Sequence, residues 1–316
     1  MADSSGAPVT TSVDVALDRL THGGLVAIPT ETVYGLGAAA GDASAVSRIF
    51  AVKGRPAGHP LIVHLADGAP LTGWAATVPP AAAVLAESCW PGPLTLLLLR
   101  ADHVLDAVTG GRDTVGLRVP AHPLTQELLR RLGGGIAAPS ANRYGRVSPT
   151  TAAHVAADLG PFLDPARDVI LDGGPAPVGV ESTIVDCTTD PPQLLRPGGI
   201  PTEDVERLLD LAVAPASGPS RAAGMRVSHY APTAAVTLVA SPAAGEAVVT
   251  AAERAGRRVA LIDGTADLVA YARDLYADLR AADAAGVDEI VAVLPPPTGL
   301  GHAIVDRLRK AAAPRP

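Results

Sequence analysis

Two short aliphatic runs, 25–28 and 60–65, bracket a polar glycine-spaced turn and one short helix, and no other stretch constrains the fold as strongly. Each run is long enough for a buried strand and too short for a helix. Between them lies PTETVYGLG, then Asp42, placed to cap a helix whose apolar face carries Val46, Ile49 and Phe50. The same spacing puts Lys53 at the helix end, where Gly54 suits the C-terminal cap and Pro56 blocks continuation. Lys53, Arg55 and several hydroxyls are thus gathered on loops between buried elements. That pattern fits an anion site, and at this point it fits two ordinary surface loops as well.

The 316 residues suffice for a sizeable core and two domains. Apolar residues make up 48% and aromatics only 3%, so the core must be built from Ala, Val, Leu and Ile. A net charge of −7 argues against a broad nucleic-acid or acidic-membrane footprint but leaves room for a local basic cleft. Cys89 and Cys187 lack any C-x-x-C spacing and read as buried thiols in a reducing compartment, not as a zinc or disulfide framework. Residues 1–12 lack the basic start and apolar stretch of a secretory leader. The greasiest run, 94–99, stops at Arg100 and is too short to span a bilayer. A cytoplasmic protein with no membrane contact is expected.

Strands and helices interleave irregularly over the first two thirds. Helices are predicted over 13–20 (led by Thr11 and Ser12), from Pro79-Pro80 to Cys89, over 124–132, from Pro149-Thr150 to about 159, and over 202–211. A rigid Trp90-Pro91-Gly92-Pro93 turn leads into a strand at 94–99. Further strands are predicted at 115–119, 169–171, 183–185 and 193–195. This order predicts an α/β domain over 1–212, an open twisted mixed sheet with flanking helices. Residues 213–233, rich in Pro, Ser, Gly and Ala, read as a linker. From 234 to 316 the pattern becomes regular, with strands at 236–239, 259–262 and 290–294, each followed by a helix. Three βα units in series predict a small parallel three-layer α/β domain.

Standard motifs are absent. No P-loop, H-E-x-x-H, EF-hand loop or G-x-S-x-G elbow occurs. Gly35-Leu36-Gly37 lacks the third glycine of a dinucleotide fingerprint, and Gly299-Leu300-Gly301 has Ile304 where that glycine belongs. What remains is a distribution. Lys53, Arg55, Arg118, Arg143, Arg146 and Arg196 lie in or beside glycine- and proline-rich turns at strand ends. Thr32, Thr114, Ser140, Asn142, Ser148 and Ser182 lie in turns of the same kind. In an acidic chain this suggests convergence on an anionic ligand, with guanidinium forks for carboxylate and phosphate. Any one of these residues could simply cap a carbonyl; the set points to function. Arg118 is the most informative, because a guanidinium among Val115, Leu117 and Val119 needs a partner or a wet cavity. His64, at the end of a similar run, reads more readily as a satisfied core residue.

Several stretches, in order, then resemble one family. PTETVYGLG, KGRP followed by PLIVH, WPGPLT, DTVGLRVPAHP, AAPSAN, SPT, GVESTIVD and LLRPG resemble the YrdC-type L-threonylcarbamoyladenylate synthases. Ser228-His229-Tyr230-Ala231-Pro232 and the extra βα domain resemble the longer version with a C-terminal Rossmann-like domain. The resemblance implies a YrdC-like sheet with a deep basic cleft and a nucleotidyltransferase activity. Threonylcarbamoyl-AMP and pyrophosphate would form from L-threonine, bicarbonate or CO2, and ATP, with Mg2+ on the ATP phosphates. The group would pass through the tRNA threonylcarbamoyl transferase machinery to adenosine 37 of tRNAs, with at most weak direct tRNA contact. By motif, Thr32, His64, Arg118, Ala138 and Ser182 would contact threonine. Lys53, Arg55, His59, Thr114, Ser140, Ser148, Arg196 and Tyr230 would contact ATP. His59 stands where the family commonly has Asn. Tyr230 makes the linker a lid in this reading, and no covalent protein nucleophile is implied. The competing readings are a carbamoyl-adenylate former with another acceptor and an RNA-binding or ribosome-assembly factor.

Overall fold

The computed structural model describes residues 6–217, 222 and 230–314. Eleven strands of the described residues join in one mixed sheet. They are β1 (Val9–Thr10), β2 (Val26–Ile28), β3 (Gly35–Ala39), β4 (Ile62–His64), β5 (Leu94–Leu99), β6 (Thr114–Arg118), β7 (Ile136–Ala138), β8 (Val169–Leu171), β9 (Thr183–Asp186), β10 (Gln193–Arg196) and β11 (Ala214–Pro215). Their order across the sheet is β1-β8-β2-β3-β7-β4-β6-β5-β9-β10-β11. Pairings mix, with β4 parallel to β6 and antiparallel to β7. The pleat sends alternate residues to opposite faces. Ala27 and Ala137 therefore join one apolar cluster with Val46, Ile49, Leu85 and Val155 from helices. Val26, Ile28, Ile136 and Ala138 join a second one with Leu20, Leu128 and Leu129. Helices cover both faces, as the irregular element order predicts.

The helix Ala43–Lys53 forms where its caps place it. The Asp42 carboxylate accepts the amides of Ser44 and Ala45 at 2.9 and 3.0 Å, and Gly54 closes the end at φ 62°. Among the strands not predicted, β3 is the most informative. The sequence reading treats Gly35–Ala39 as part of a polar turn, and it is instead β3, near the sheet centre. Glycine and alanine have little strand preference, but close packing requires them. A Cβ on Gly37 would lie 2.6 Å from the Ile136 Cγ2, and one on Gly35 would lie 3.2 Å from the Ala138 Cβ.

The C-terminal unit has β12 (Ala235–Val239), β13 (Val259–Ile262) and β14 (Glu289–Val293) in the order β12-β14-β13, all parallel. Helices Pro242–Arg254, Leu268–Ala284 and Gly301–Ala312 follow the three strands in turn. One apolar cluster crosses between the units. It packs Val33, Val147 and Val180 against Tyr230, Leu275, Tyr276, Leu279 and Ile304. At the same junction Arg280 pairs with Asp158 at 2.6 Å and donates to the Ser148 carbonyl at 3.2 Å. The C-terminal unit therefore bears on the loops that follow Thr32 and precede Ser148 and Ser182. The lid expected over 213–233 lies, apart from 213–217, 222 and 230–233, outside the described residues. No helix among the described residues is long and apolar enough to cross a membrane.

Candidate active site

Strand register brings the first two site residues together. His64 and Arg118, at the ends of parallel β4 and β6, are direct partners in the ladder and so share a face. Arg118 is buried, and the partner its surroundings demand is Glu31, which accepts from its Nη2 at 2.6 Å. The second Glu31 oxygen accepts the Ala121 amide at 2.9 Å, and Arg118 Nε donates to the Gly92 carbonyl at 3.3 Å. Burial pushes the Glu31 carboxyl up, but the Arg118 guanidinium and the Ala121 amide outweigh it and hold it below its ordinary value. His64 Nδ1 lies 3.3 Å from the Ile136 carbonyl. A carbonyl can only accept, which assigns the proton to Nδ1 and leaves Nε2 an acceptor. Burial, and then the Arg118 charge, lower His64 to about 3, so the ring is neutral at physiological pH.

The opposite wall is built on β9 and β10. Ser182 Oγ lies 2.7 Å from Thr95 Oγ1. Arg196 donates from Nε and Nη2 to the Ser182 carbonyl at 3.1 and 2.8 Å, and from Nη2 to its hydroxyl at 3.1 Å. A register shift between Leu194 and Arg196 accompanies this inward turn. Beside them Glu181 receives Ser148 Oγ at 2.6 Å, Tyr276 OH at 2.8 Å and Arg307 Nε at 2.7 Å. Burial would raise its pKa, but Arg307 and then Arg196 hold it down at about 2. Tyr230 is buried against the same cluster, its ring 5.7 Å from that of Tyr276, and burial lifts its phenol to about 12.

Between these walls lies a cavity open to solvent on one side. Thr32, His64, Arg118, Ala138 and Ser182 all line it. So do Arg55, Ser140, Arg196 and Tyr230 from the set expected at ATP. Four residues of that set are placed elsewhere. The Lys53 amine is buried and donates to the Ser140 carbonyl at 2.6 Å and to the Asn142 carbonyl. It supports the loop from beneath, and burial, followed by the Arg55 charge, lowers its pKa well below the usual lysine value. Ser148 faces Glu181 rather than the cavity. His59 leans on the Tyr144 ring at 5.6 Å. Thr114 sits at the opposite end of β6 from Arg118, four residues or about 13 Å away.

Sequence reasoning overlooked Glu31, Glu181 and Arg307. The first two stood inside quoted motifs, PTETVYG and GVEST. The available signal was that each cation buried in a strand or turn needs an acid. Arg307, on an amphipathic C-terminal helix, offered no such signal.

An open mixed sheet whose strand ends and loops close a hydroxyl-lined cavity around buried arginines defines an α/β protein with a site suited to small anionic ligands. The chain belongs to the Sua5/YciO/YrdC family. That family's profile, described as "Telomere recombination", matches residues 18–198, and a second, "Threonylcarbamoyl-AMP synthase, C-terminal domain", matches residues 200–313. The threonylcarbamoyl-AMP synthase of Pyrococcus abyssi is 42% identical over 96% of this chain and 94% of its own length. That of Bacillus subtilis is 41% identical over 92% of this chain and 90% of its own. The crystal structure of P. abyssi Sua5 complexed with L-threonine superposes with a TM-score of 0.89 at 41% identity, covering 95% of this chain and 94% of that one.

Proposed function

We infer that the chain is an L-threonylcarbamoyladenylate synthase, a nucleotidyltransferase that forms threonylcarbamoyl-AMP and pyrophosphate from L-threonine, bicarbonate or CO2, and ATP. The observation that carries this is one cavity holding two kinds of cationic centre. Arg118, fixed by Glu31, stands with His64, Thr32 and Ser182; Arg55 and Arg196 stand with Ser140 and Tyr230. The first group suits an amino acid, with Arg118 meeting its carboxylate and neutral His64 Nε2 accepting a hydrogen bond. The second suits a polyphosphate.

Threonine's amine, as the free base, attacks CO2: the N–C bond forms as one C–O π bond opens onto oxygen, and the nitrogen gives a proton to water, which leaves a carbamate. A carbamate oxygen then attacks the α-phosphorus of ATP; the new O–P bond forms as the bond to pyrophosphate breaks. Every reactant is anionic, so the protein's task is to offset repulsion and hold the partners in line. No protein nucleophile is needed. We propose that Mg2+ arrives on the phosphates, where it neutralises their charge. The donor set fits this, because Glu31 and Glu181 have both oxygens engaged and no three ligating groups converge among the described residues. The product's threonylcarbamoyl group goes on to tRNA adenosine through a separate transferase in this reading, which places the chain in the cytoplasm.

Pyrophosphate release tests it. Release should require ATP, threonine and bicarbonate together and fall at least a hundredfold in Arg118→Met. Release that ignores threonine and bicarbonate would sink the reading.

A further inference from the structure

We propose that Arg307, in the last helix, is a positioning residue for the nucleotide end of the site: it engages Glu181 and so keeps that carboxylate from competing with the ligand for Arg196. The inference rests on the nucleotide binding proposed above.

Glu181 and Arg196 line the same cavity, and Ser182, next to Glu181, takes the Arg196 hydrogen bonds made among the described residues. An unoccupied carboxylate at this spot would do two kinds of harm. It would repel polyanionic substrates, and it would compete for Arg196. The geometry removes both. Ser148, Tyr276 and Arg307 between them engage both Glu181 oxygens, and Arg307 is the cation among the three. Arg307 is completely buried and comes from 126 residues further along the chain. Its Nη2 donates to the Pro197 carbonyl at 3.1 Å, immediately after Arg196, and its guanidinium lies 5.2 Å from the centre of the Tyr230 ring. One side chain of the C-terminal unit thus touches Glu181, the backbone after Arg196, and Tyr230.

Docking alone does not call for this ion pair. The junction already has an apolar cluster, and a buried ion pair is often no more stabilising than apolar residues of similar volume. Its place directly behind the cavity is what the positioning role explains, and the role gives the C-terminal unit a defined task in the reaction.

The test is a double-mutant cycle on the full chain, read by calorimetric titration with a non-hydrolysable ATP analogue, threonine KM and melting temperature. Arg307→Met should weaken analogue binding at least tenfold while moving threonine KM less than threefold. Arg307→Lys should stay within about fivefold of wild type for the analogue. Adding Glu181→Gln to Arg307→Met removes the orphaned charge and should restore analogue affinity to within about threefold. Should Arg307→Met fail to fold, the double variant, in which no Glu181 charge is left without Arg307, still decides: a tenfold loss in the folded double variant overturns the proposal. So does a parallel loss of affinity for both substrates that tracks melting temperature, the signature of a merely structural contact. A wild-type chain that binds no analogue overturns this proposal and the nucleotide reading together, whereas normal wild-type binding with no recovery in the double variant overturns this proposal alone.

Discussion

Arg118 and Glu31, 87 residues apart in the chain, meet at 2.6 Å with both side chains almost wholly withdrawn from water. The pair explains how a guanidinium can stand in an apolar strand, and it fixes the direction in which the remaining guanidinium donors face the cavity. Removing one partner of such a pair is far costlier than replacing both.

Glu31→Ala should therefore lose about 3–5 kcal/mol of unfolding free energy, read by urea denaturation. Glu31→Gln keeps an acceptor for Arg118 and should lose less, while raising threonine KM about tenfold through a misdirected guanidinium. A Glu31→Ala variant as stable as wild type would contradict the assigned pairing.

His64 makes stability depend on pH. Its folded pKa is depressed to about 3 from an ordinary 6.5, so the unfolded chain binds a proton in a range where the native ring does not. Stability from this group is complete above 6.5 and falls as pH drops toward 3, by at most about 1.4 kcal/mol per pH unit. Glu31 and Glu181 have folded values below their ordinary 4.5, so their contributions are lost only below that. Urea midpoints compared at pH 6.5 and 4.5 should show a shallower slope in His64→Gln than in wild type.

Lys53→Met removes the donor to two carbonyls of the loop 139–148. The expected cost is about 2–4 kcal/mol, from lost hydrogen bonds and stranded acceptors. Nucleotide KM should rise with it, because Ser140 is on that loop and lines the cavity. Unchanged stability with a loss confined to nucleotide affinity would instead mean that Lys53 meets phosphate directly.

Gly179→Ala probes the junction. Its φ of +77° disfavours any side chain, and a Cβ would lie 2.2 Å from the Arg273 carbonyl oxygen of the helix Leu268–Ala284. The variant should lose about 2 kcal/mol or more and become more sensitive to proteolysis between the two units, as limited digestion would show. Wild-type resistance to protease would argue against this close approach.

Local signals were read correctly wherever a few neighbouring residues decide the outcome. Asp42 and Gly54 bound their helix, Trp90-Pro91-Gly92-Pro93 delivers the strand Leu94–Leu99, and the three βα units after residue 234 stand within two residues of their expected limits. β3 escaped because its glycines answer to Ile136 and Ala138, which lie far along the chain and adjacent in the sheet. Lys53 was correctly placed at a helix end, but the loop it supports comes from beyond residue 139.

The sequence by itself determined the fold class, the order of elements, the family resemblance and the residue types gathered at strand ends, because caps, turns and hydrophobic periodicity act over a few residues. Only the tertiary structure decided the charge pairing. Sheet order sets His64 beside Arg118 and Arg118 against Glu31, and the docking of the last helix sets Arg307 on Glu181. The physical reason is that a buried charge must be matched through space, and its partner is chosen by which strands and helices become neighbours rather than by position in the chain.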